Sequence, residues 1–171
     1  MNAAPRISLL SGDMARLLER IEREAGPQPD PTLLSPTEGR ALTLESNRRW
    51  NVDLPEMAAT GDAWVDADEG LGSAGLRLKV LVPPGRRPGV LIFVHGGGFA
   101  FCSPETHERC ARVLAMESGL PVLLPDYRLS PEHPYPAGLM DVVATLRSAF
   151  AAAGALGVEE GPLVMAGDSA G

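Results

Sequence analysis

The sequence predicts an α/β fold in which helices flank a mostly parallel sheet. Three short apolar segments, at residues 90–94, 122–124 and 163–166, have the continuous hydrophobic character of strands covered on both faces. Between them lie two longer segments with apolar residues at helical spacing, so strands and helices alternate along the chain. Such alternation is typical of parallel sheets with right-handed crossover connections.

The composition is that of a folded domain, and it excludes several classes of protein. The chain has 171 residues, of which 44% are apolar and 22% charged, so disorder is not expected. Its two cysteines are too few for a disulfide scaffold, and its net charge of −7 argues against nucleic-acid binding. No apolar stretch approaches the length of a membrane span, and we expect a cytoplasmic protein with reduced thiols.

The N-terminal part of the chain predicts two amphipathic helices. In the first, apolar residues recur at helical spacing, namely at Met14, Leu17, Leu18, Ile21 and Ala25. Asp13 is the candidate N-cap of this helix. The second helix begins with a capping box formed by Ser35 and Glu38, and it is expected to run to about Trp50.

The pattern changes from residue 55 onward and predicts five strands and two further helices. The strands are expected at residues 57–65, 76–82, 90–94, 122–124 and 163–166. One helix is expected at residues 105–118, with Ser103 as its cap and Pro104 at its first position. The other is expected at residues 137–153.

The pentapeptide Gly-Asp-Ser-Ala-Gly, at residues 167–171, directly follows the last predicted strand. It matches Gly-x-Ser-x-Gly, the nucleophile elbow, a sharp strand-to-helix turn that lifts a serine hydroxyl above the edge of a sheet. Glycine fits the first and last positions because these two residues crowd each other across the turn. About 0.1 matches are expected by chance, so the motif by itself is weak evidence for an elbow, and the strand predicted before it strengthens that evidence.

The tetrapeptide His-Gly-Gly-Gly, at residues 95–98, directly follows another predicted strand, and only about 0.004 matches are expected by chance. Consecutive glycines allow backbone N–H groups to converge on one point. Acyl transfer needs such a point because its tetrahedral intermediate develops an oxyanion. A phosphate-binding loop is the alternative, but Gly-x-Gly-x-x-Gly is absent and an elbow follows downstream.

A third segment, Asp-Tyr-Arg-Leu-Ser-Pro-Glu-His-Pro-Tyr-Pro-Ala at residues 126–137, completes a resemblance to a known family. Together the three motifs resemble the hormone-sensitive-lipase-like family of α/β-hydrolases, whose members are mostly bacterial carboxylesterases. The resemblance covers roughly residues 35–171. Ser130 and Tyr135 depart mildly from the usual motif, and Cys102 stands where many members have glycine.

The resemblance implies the α/β-hydrolase fold and a set of site residues. Ser169 is implied as the nucleophile, and the N–H groups of Gly97, Gly98 and Ala170 as the oxyanion hole. No cofactor and no metal are implied, and the partner is a small-molecule ester.

The same resemblance implies that the chain is truncated after the elbow. Residues 1–50 are assigned to a helical cap segment, and residues 51–171 to the N-terminal part of the hydrolase core. In the family the serine precedes the acidic residue and the histidine of the triad. Here every histidine precedes Ser169, namely His95, His107 and His133. We therefore expect the chain to lack the triad acid and base and to be inactive by itself.

Several other polar residues receive structural interpretations. His95 is expected to brace the glycine-rich loop, and Arg128 and Glu132 to pair with each other. His107 and Cys110 have a spacing that suits a metal, but two ligands without a third partner are more often ordinary surface and core residues.

The leading hypothesis is thus a serine esterase for short or medium acyl esters. A non-catalytic small-molecule-binding relative of the same fold is the alternative, and loss of the downstream histidine would favour it. A trypsin-like protease is excluded because the chain has neither a disulfide framework nor an all-β pattern. If residues 163–166 form an open, uncharged edge strand, the isolated chain is expected to self-associate.

Overall fold

The computed structural model describes residues 10–171, and a five-stranded mixed sheet forms its centre. The strands are β1 (Ala59–Val65), β2 (Leu76–Val82), β3 (Val90–Val94), β4 (Val122–Pro125) and β5 (Leu163–Gly167). They lie in the order β1-β2-β4-β3-β5, with β2 antiparallel to both of its neighbours and β3 parallel to β4 and β5. Four of the five strands therefore share one direction, as the sequence predicts.

Four α-helices accompany the sheet within residues 10–171. They are α1 (Gly12–Ala25), α2 (Pro36–Asn47), α3 (Glu108–Ser118) and α4 (Ala137–Ala153). The capping box of α2 is present, and a short 3₁₀ turn continues that helix to Trp50, as expected. In contrast, α1 has no buried residue.

The two core helices cover opposite faces of the sheet. One apolar cluster joins Ala149 of α4 to Ile92 and Leu123, and the other joins Ala115 of α3 to Leu91 and to residues of β4. Successive side chains of a strand point to opposite faces, so both faces of β3 and β4 are covered. The uninterrupted apolar runs in these two strands are explained by that burial.

Two predicted helix starts are wrong. The N-cap of α1 is Ser11, whose hydroxyl accepts a hydrogen bond from Met14 N, while Asp13 lies within the first turn. The helix expected from residue 105 begins at Glu108 instead. There the Thr106 hydroxyl donates to Ser103 O at 2.7 Å, and this local turn competes with the helix for the same backbone.

Within residues 10–171, one helical stretch is long and apolar enough to cross a membrane, contrary to the sequence-based expectation. It comprises α4 and the following turn, Ala137–Leu156, and has 20 residues. Within the fold α4 packs against β1, β3 and β4. The core helix of a globular domain meets the same criteria, so the observation is weak evidence for a span.

A buried ion pair ties α4 to the segment after β4. Asp141 of α4 is completely buried and accepts hydrogen bonds from the Arg128 backbone N at 3.0 Å and from Arg128 Nε at 2.9 Å. The predicted pair between Arg128 and Glu132 is therefore wrong. A buried carboxylate requires a charged partner. The guanidinium of Arg128 pairs with Asp141 and not with Glu132.

β5 lies at the edge of the sheet, where it pairs with β3 alone among the described residues. Its side chains Leu163, Val164 and Met165 are between 38% and 48% exposed, which is unusual for apolar residues of a strand. The open edge agrees with the expectation from the sequence, and self-association of the chain stays a prediction.

Candidate active site

The turn after β5 has the geometry of a strained elbow. Ser169 is exposed and has a φ of 52°, a left-handed conformation that is uncommon for a residue with a side chain. Gly171 N donates to Asp168 O at 2.8 Å and closes the turn. A Cβ atom on Gly167 would lie 2.6 Å from the carbonyl carbon of Gly171, so these two residues crowd each other as predicted.

The segment after β3, residues 95–102, is here called the glycine loop. Gly97 and Gly98 have φ values of 120° and 61°, and Phe101 N donates to Gly97 O at 2.9 Å. A Cβ atom on Gly97 would collide with the carbonyl oxygen of Phe101. Cys102, where family members often have glycine, has a φ of 68°. The loop therefore requires a side-chain-free residue at Gly97.

The elbow and the glycine loop both begin at the carboxyl ends of neighbouring parallel strands, and they contact each other. Val94, the last residue of β3, lies opposite Gly167 of the neighbouring parallel strand β5. Gly96 N donates to Asp168 Oδ1 at 2.8 Å, and a Cβ atom on Gly96 would lie 3.0 Å from Ser169 Cβ. The two motifs, 72 residues apart in the chain, thus form one continuous surface.

Asp168 has a second partner that the sequence did not indicate. His107 Nε2 lies 3.3 Å from Asp168 Oδ1, so one carboxylate contacts both the glycine loop and the turn before α3. The possibility of a metal at His107 and Cys110 finds no support, because residues 10–171 contain no group of three or more suitable ligands.

The buried side chain of His95 supports the glycine loop from the interior of the protein. Its ring is 1% exposed, its Nδ1 lies 2.8 Å from Gly96 O, and it stacks on Tyr127 with the ring centroids 4.4 Å apart. Burial lowers the pKa of His95, so the imidazole is neutral, and burial raises the pKa of Tyr127 to about 12. The protonated Tyr127 hydroxyl donates to His95 O at 2.6 Å.

A cavity of about 500 Å³ opens beside the elbow. Its lining includes Phe99 of the glycine loop, Ala170 and Gly171 of the elbow, and apolar side chains of α4 and β5 such as Leu139 and Met165. This volume lies in the range of pockets that hold small organic ligands.

None of the histidines is placed as a base for Ser169 within residues 10–171. The ring of His95 is buried and its Nδ1 lies against Gly96 O, and His107 is engaged with Asp168 and with the Thr106 hydroxyl. His133 is exposed and lines the cavity, and within residues 10–171 its ring makes no hydrogen bond to Ser169. The described residues therefore bring the Ser169 hydroxyl close to the glycine loop, and they place no histidine as a proton acceptor for that hydroxyl.

Arg40 of α2 also contacts the glycine loop, and no local sequence pattern predicted this contact. Its Nε donates to Ala100 O at 2.9 Å, and its Nη1 and Nη2 donate to the carboxylate of Glu132 at 2.9 and 2.7 Å. This pairing lowers the pKa of Glu132 to about 2. The partners lie 60 and 92 residues away, so no short motif reveals the contact.

Comparisons with known proteins agree with this geometry. The sequence profile of a family described as having the alpha/beta hydrolase fold matches residues 91–171. An ester hydrolase from the metagenome of Lake Arreo, solved with a bipyridine phosphonate derivative, is 31% identical with a TM-score of 0.81, and the match covers 95% of this chain.

Two further esterases are similar. The esterase of Pyrobaculum calidifontis is 30% identical, with a TM-score of 0.78 and 95% of this chain covered. EstE1, a thermophilic carboxylesterase cloned from a metagenomic library, is 32% identical, with a TM-score of 0.72 and 82% covered. The chain spans about half the length of these proteins, covering 51%, 50% and 47% of them in the order given.

Proposed function

Since the chain has the α/β-hydrolase fold and is similar to solved esterases, we propose that the whole protein is a carboxylic ester hydrolase with Ser169 as its nucleophile. One observation carries the proposal. The hydrogen bond from Gly96 N to Asp168 joins the glycine loop to the elbow, so that backbone amides and an exposed hydroxyl share one edge of the sheet.

The proposed reaction proceeds through an acyl-enzyme. The Ser169 hydroxyl oxygen attacks the ester carbonyl carbon and its proton passes to a base, which then protonates the departing alcohol. The N–H groups of Gly97, Gly98 and Ala170 donate to the oxyanion of the intermediate. Water then hydrolyses the acyl-serine and regenerates the hydroxyl. Because no histidine of residues 10–171 is placed to accept the proton, we expect the 171-residue chain itself to be inactive.

The cavity supports an acyl group of short to medium length. Its volume is about 500 Å³, and the side chains of Phe99, Leu139, Val142 and Met165 give it an apolar wall. Neutral apolar chains are favoured there because their burial removes apolar surface from water. We also expect the protein to act in the cytoplasm, where Cys102 and Cys110, which are free thiols in the structure, stay reduced.

The proposal is tested by assaying the whole protein against p-nitrophenyl esters from acetate to palmitate. We expect hydrolysis well above the buffer rate, with the highest kcat/KM at or below about eight acyl carbons, because longer chains outgrow the cavity. Folded protein that releases no p-nitrophenol from any ester would contradict the proposal. Ester binding without turnover would instead support the small-molecule-binding alternative.

A further inference from the structure

The guanidinium of Arg40 joins α2 to two loops of the site. Its Nε donates to Ala100 O at 2.9 Å, and its Nη2 donates to Ser130 O at 2.8 Å, in the segment that follows β4. The carboxylate of Glu132 holds both terminal nitrogens at 2.7 and 2.9 Å, an arrangement that fixes the plane of the guanidinium. The fork is thus oriented by a charge and directed at two backbone carbonyls.

The Ala100 carbonyl belongs to the tight turn that gives the glycine loop its shape. Ala100 N and Phe101 N both donate to Gly97 O, at 3.2 and 2.9 Å. Phe99, next to them, has a φ of 62°, and its carbonyl accepts a hydrogen bond from Ser130 N at 2.8 Å. A non-glycine residue in this conformation persists only when its surroundings hold it. Arg40 binds the carbonyl of Ala100, which follows Phe99, and the carbonyl of Ser130, whose N–H binds Phe99 O.

A second, independent contact brings α2 onto the same loop. Gly39, the residue before Arg40, is the one buried residue of α2. A Cβ atom there would lie 3.0 Å from the Phe101 ring and 2.6 Å from Pro31 O. The helix therefore approaches the glycine loop as closely as its backbone allows, and Arg40 is placed directly over the turn.

We propose that Arg40 is a positioning residue, which holds the glycine loop in the conformation that directs the Gly97 and Gly98 amides at the reacting carbonyl. This inference rests on the proposed function for its catalytic consequence only. Arg40 touches no reacting atom and acts through Ala100, Ser130 and the turn that they support. Its removal is expected to reduce kcat more than it raises KM, because a misdirected oxyanion donor weakens binding of the transition state specifically.

The test compares Arg40→Gln, Arg40→Lys and Glu132→Gln with the wild type in two measurements on the whole protein. The first is amide hydrogen exchange at Phe101, followed by NMR. The second is kcat and KM for p-nitrophenyl butyrate. We expect Arg40→Gln to speed Phe101 exchange about tenfold and to lower kcat about tenfold, with KM changed less than about threefold. We expect Arg40→Lys to show nearly the same changes in exchange and kcat as Arg40→Gln, because an ammonium group cannot bridge the two carbonyls and the carboxylate.

Arg109→Gln is the matched control. Arg109 Nε donates to Val52 O at 3.1 Å, so this arginine ties the segment after α2 to α3 without touching the glycine loop. Unchanged exchange and kcat in this variant, beside the losses in Arg40→Gln, support the proposal. An equal loss of kcat in Arg109→Gln would overturn it, since anchoring of the N-terminal region would then explain both.

Two further outcomes are decisive. If Arg40→Gln loses helical circular dichroism, Glu132→Gln decides, because it removes the charge that orients the guanidinium while leaving α2 unchanged. Exchange and kcat within about twofold of the wild type in that variant and in Arg40→Lys would overturn the proposal. If even the wild type hydrolyses no ester, the proposed function fails, while Phe101 exchange still tests whether Arg40 holds the loop.

Discussion

Replacement of Ser169 by alanine is expected to lower kcat/KM of the whole protein for p-nitrophenyl butyrate on the order of 10⁴- to 10⁶-fold. Alanine removes the oxygen that forms the acyl bond, and no other hydroxyl lies at the elbow. The fold is expected to be unaffected, because Ser169 is exposed and alanine is smaller. The residual rate reflects binding and the converging amides alone.

Ser148→Ala is the matched control for this substitution. Ser148 lies on α4 and is not among the residues that line the cavity beside the elbow, and its replacement is expected to leave kcat/KM within about twofold of the wild type. Substantial ester hydrolysis by folded Ser169→Ala protein would show that another group is the nucleophile.

Replacement of Gly97 by alanine is expected to lower kcat/KM on the order of 10²- to 10³-fold, the loss that follows removal of one oxyanion donor. The new methyl group would collide with Phe101 O, and a φ of 120° is unfavourable for alanine. The turn must therefore open, and the Gly97 and Gly98 amides are displaced from their positions in the glycine loop. Measured kcat and KM should show that the loss falls mainly on kcat.

Gly85→Ala separates the collision from the conformational cost. Gly85 also has a positive φ, at 63°, but no atom lies within 4 Å of the position that a Cβ would occupy. This variant is expected to lose some stability and to keep kcat. If Gly97→Ala and Gly85→Ala had the same small effect on kcat, the glycine loop would not be the oxyanion site.

Much of the fold, and the positions of the elbow and the glycine loop, could be predicted from local sequence. The apolar runs of β3 and β4 and the Ser35 capping box are encoded within a few residues, and the structure confirms them. Ser169 and the glycine loop were also recognisable, because an elbow and a glycine run each need particular residues at adjacent positions. Their contact could be expected once both followed neighbouring parallel strands.

The rest of the site depends on contacts between distant residues. Arg128 was expected to pair with nearby Glu132, but a buried carboxylate on α4 binds it instead, and Glu132 pairs with Arg40. These two pairings depend on which side chains are buried and on which loops lie next to each other, and a short stretch of sequence reveals neither. The prediction of where α3 begins was wrong for another reason. Ser103 and Thr106 favour a local turn as well as a helix.

We propose above that the Ser169 hydroxyl attacks the carbonyl carbon of an ester, and that the amides of Gly97, Gly98 and Ala170 bind the oxygen of that same carbonyl group. A crystal structure of the whole protein after reaction with a p-nitrophenyl alkylphosphonate tests it most directly. We expect a bond between phosphorus and the Ser169 hydroxyl oxygen, with a phosphonyl oxygen about 3 Å from those amide nitrogens. A phosphonyl oxygen directed away from the glycine loop, or an adduct on another residue, would contradict it.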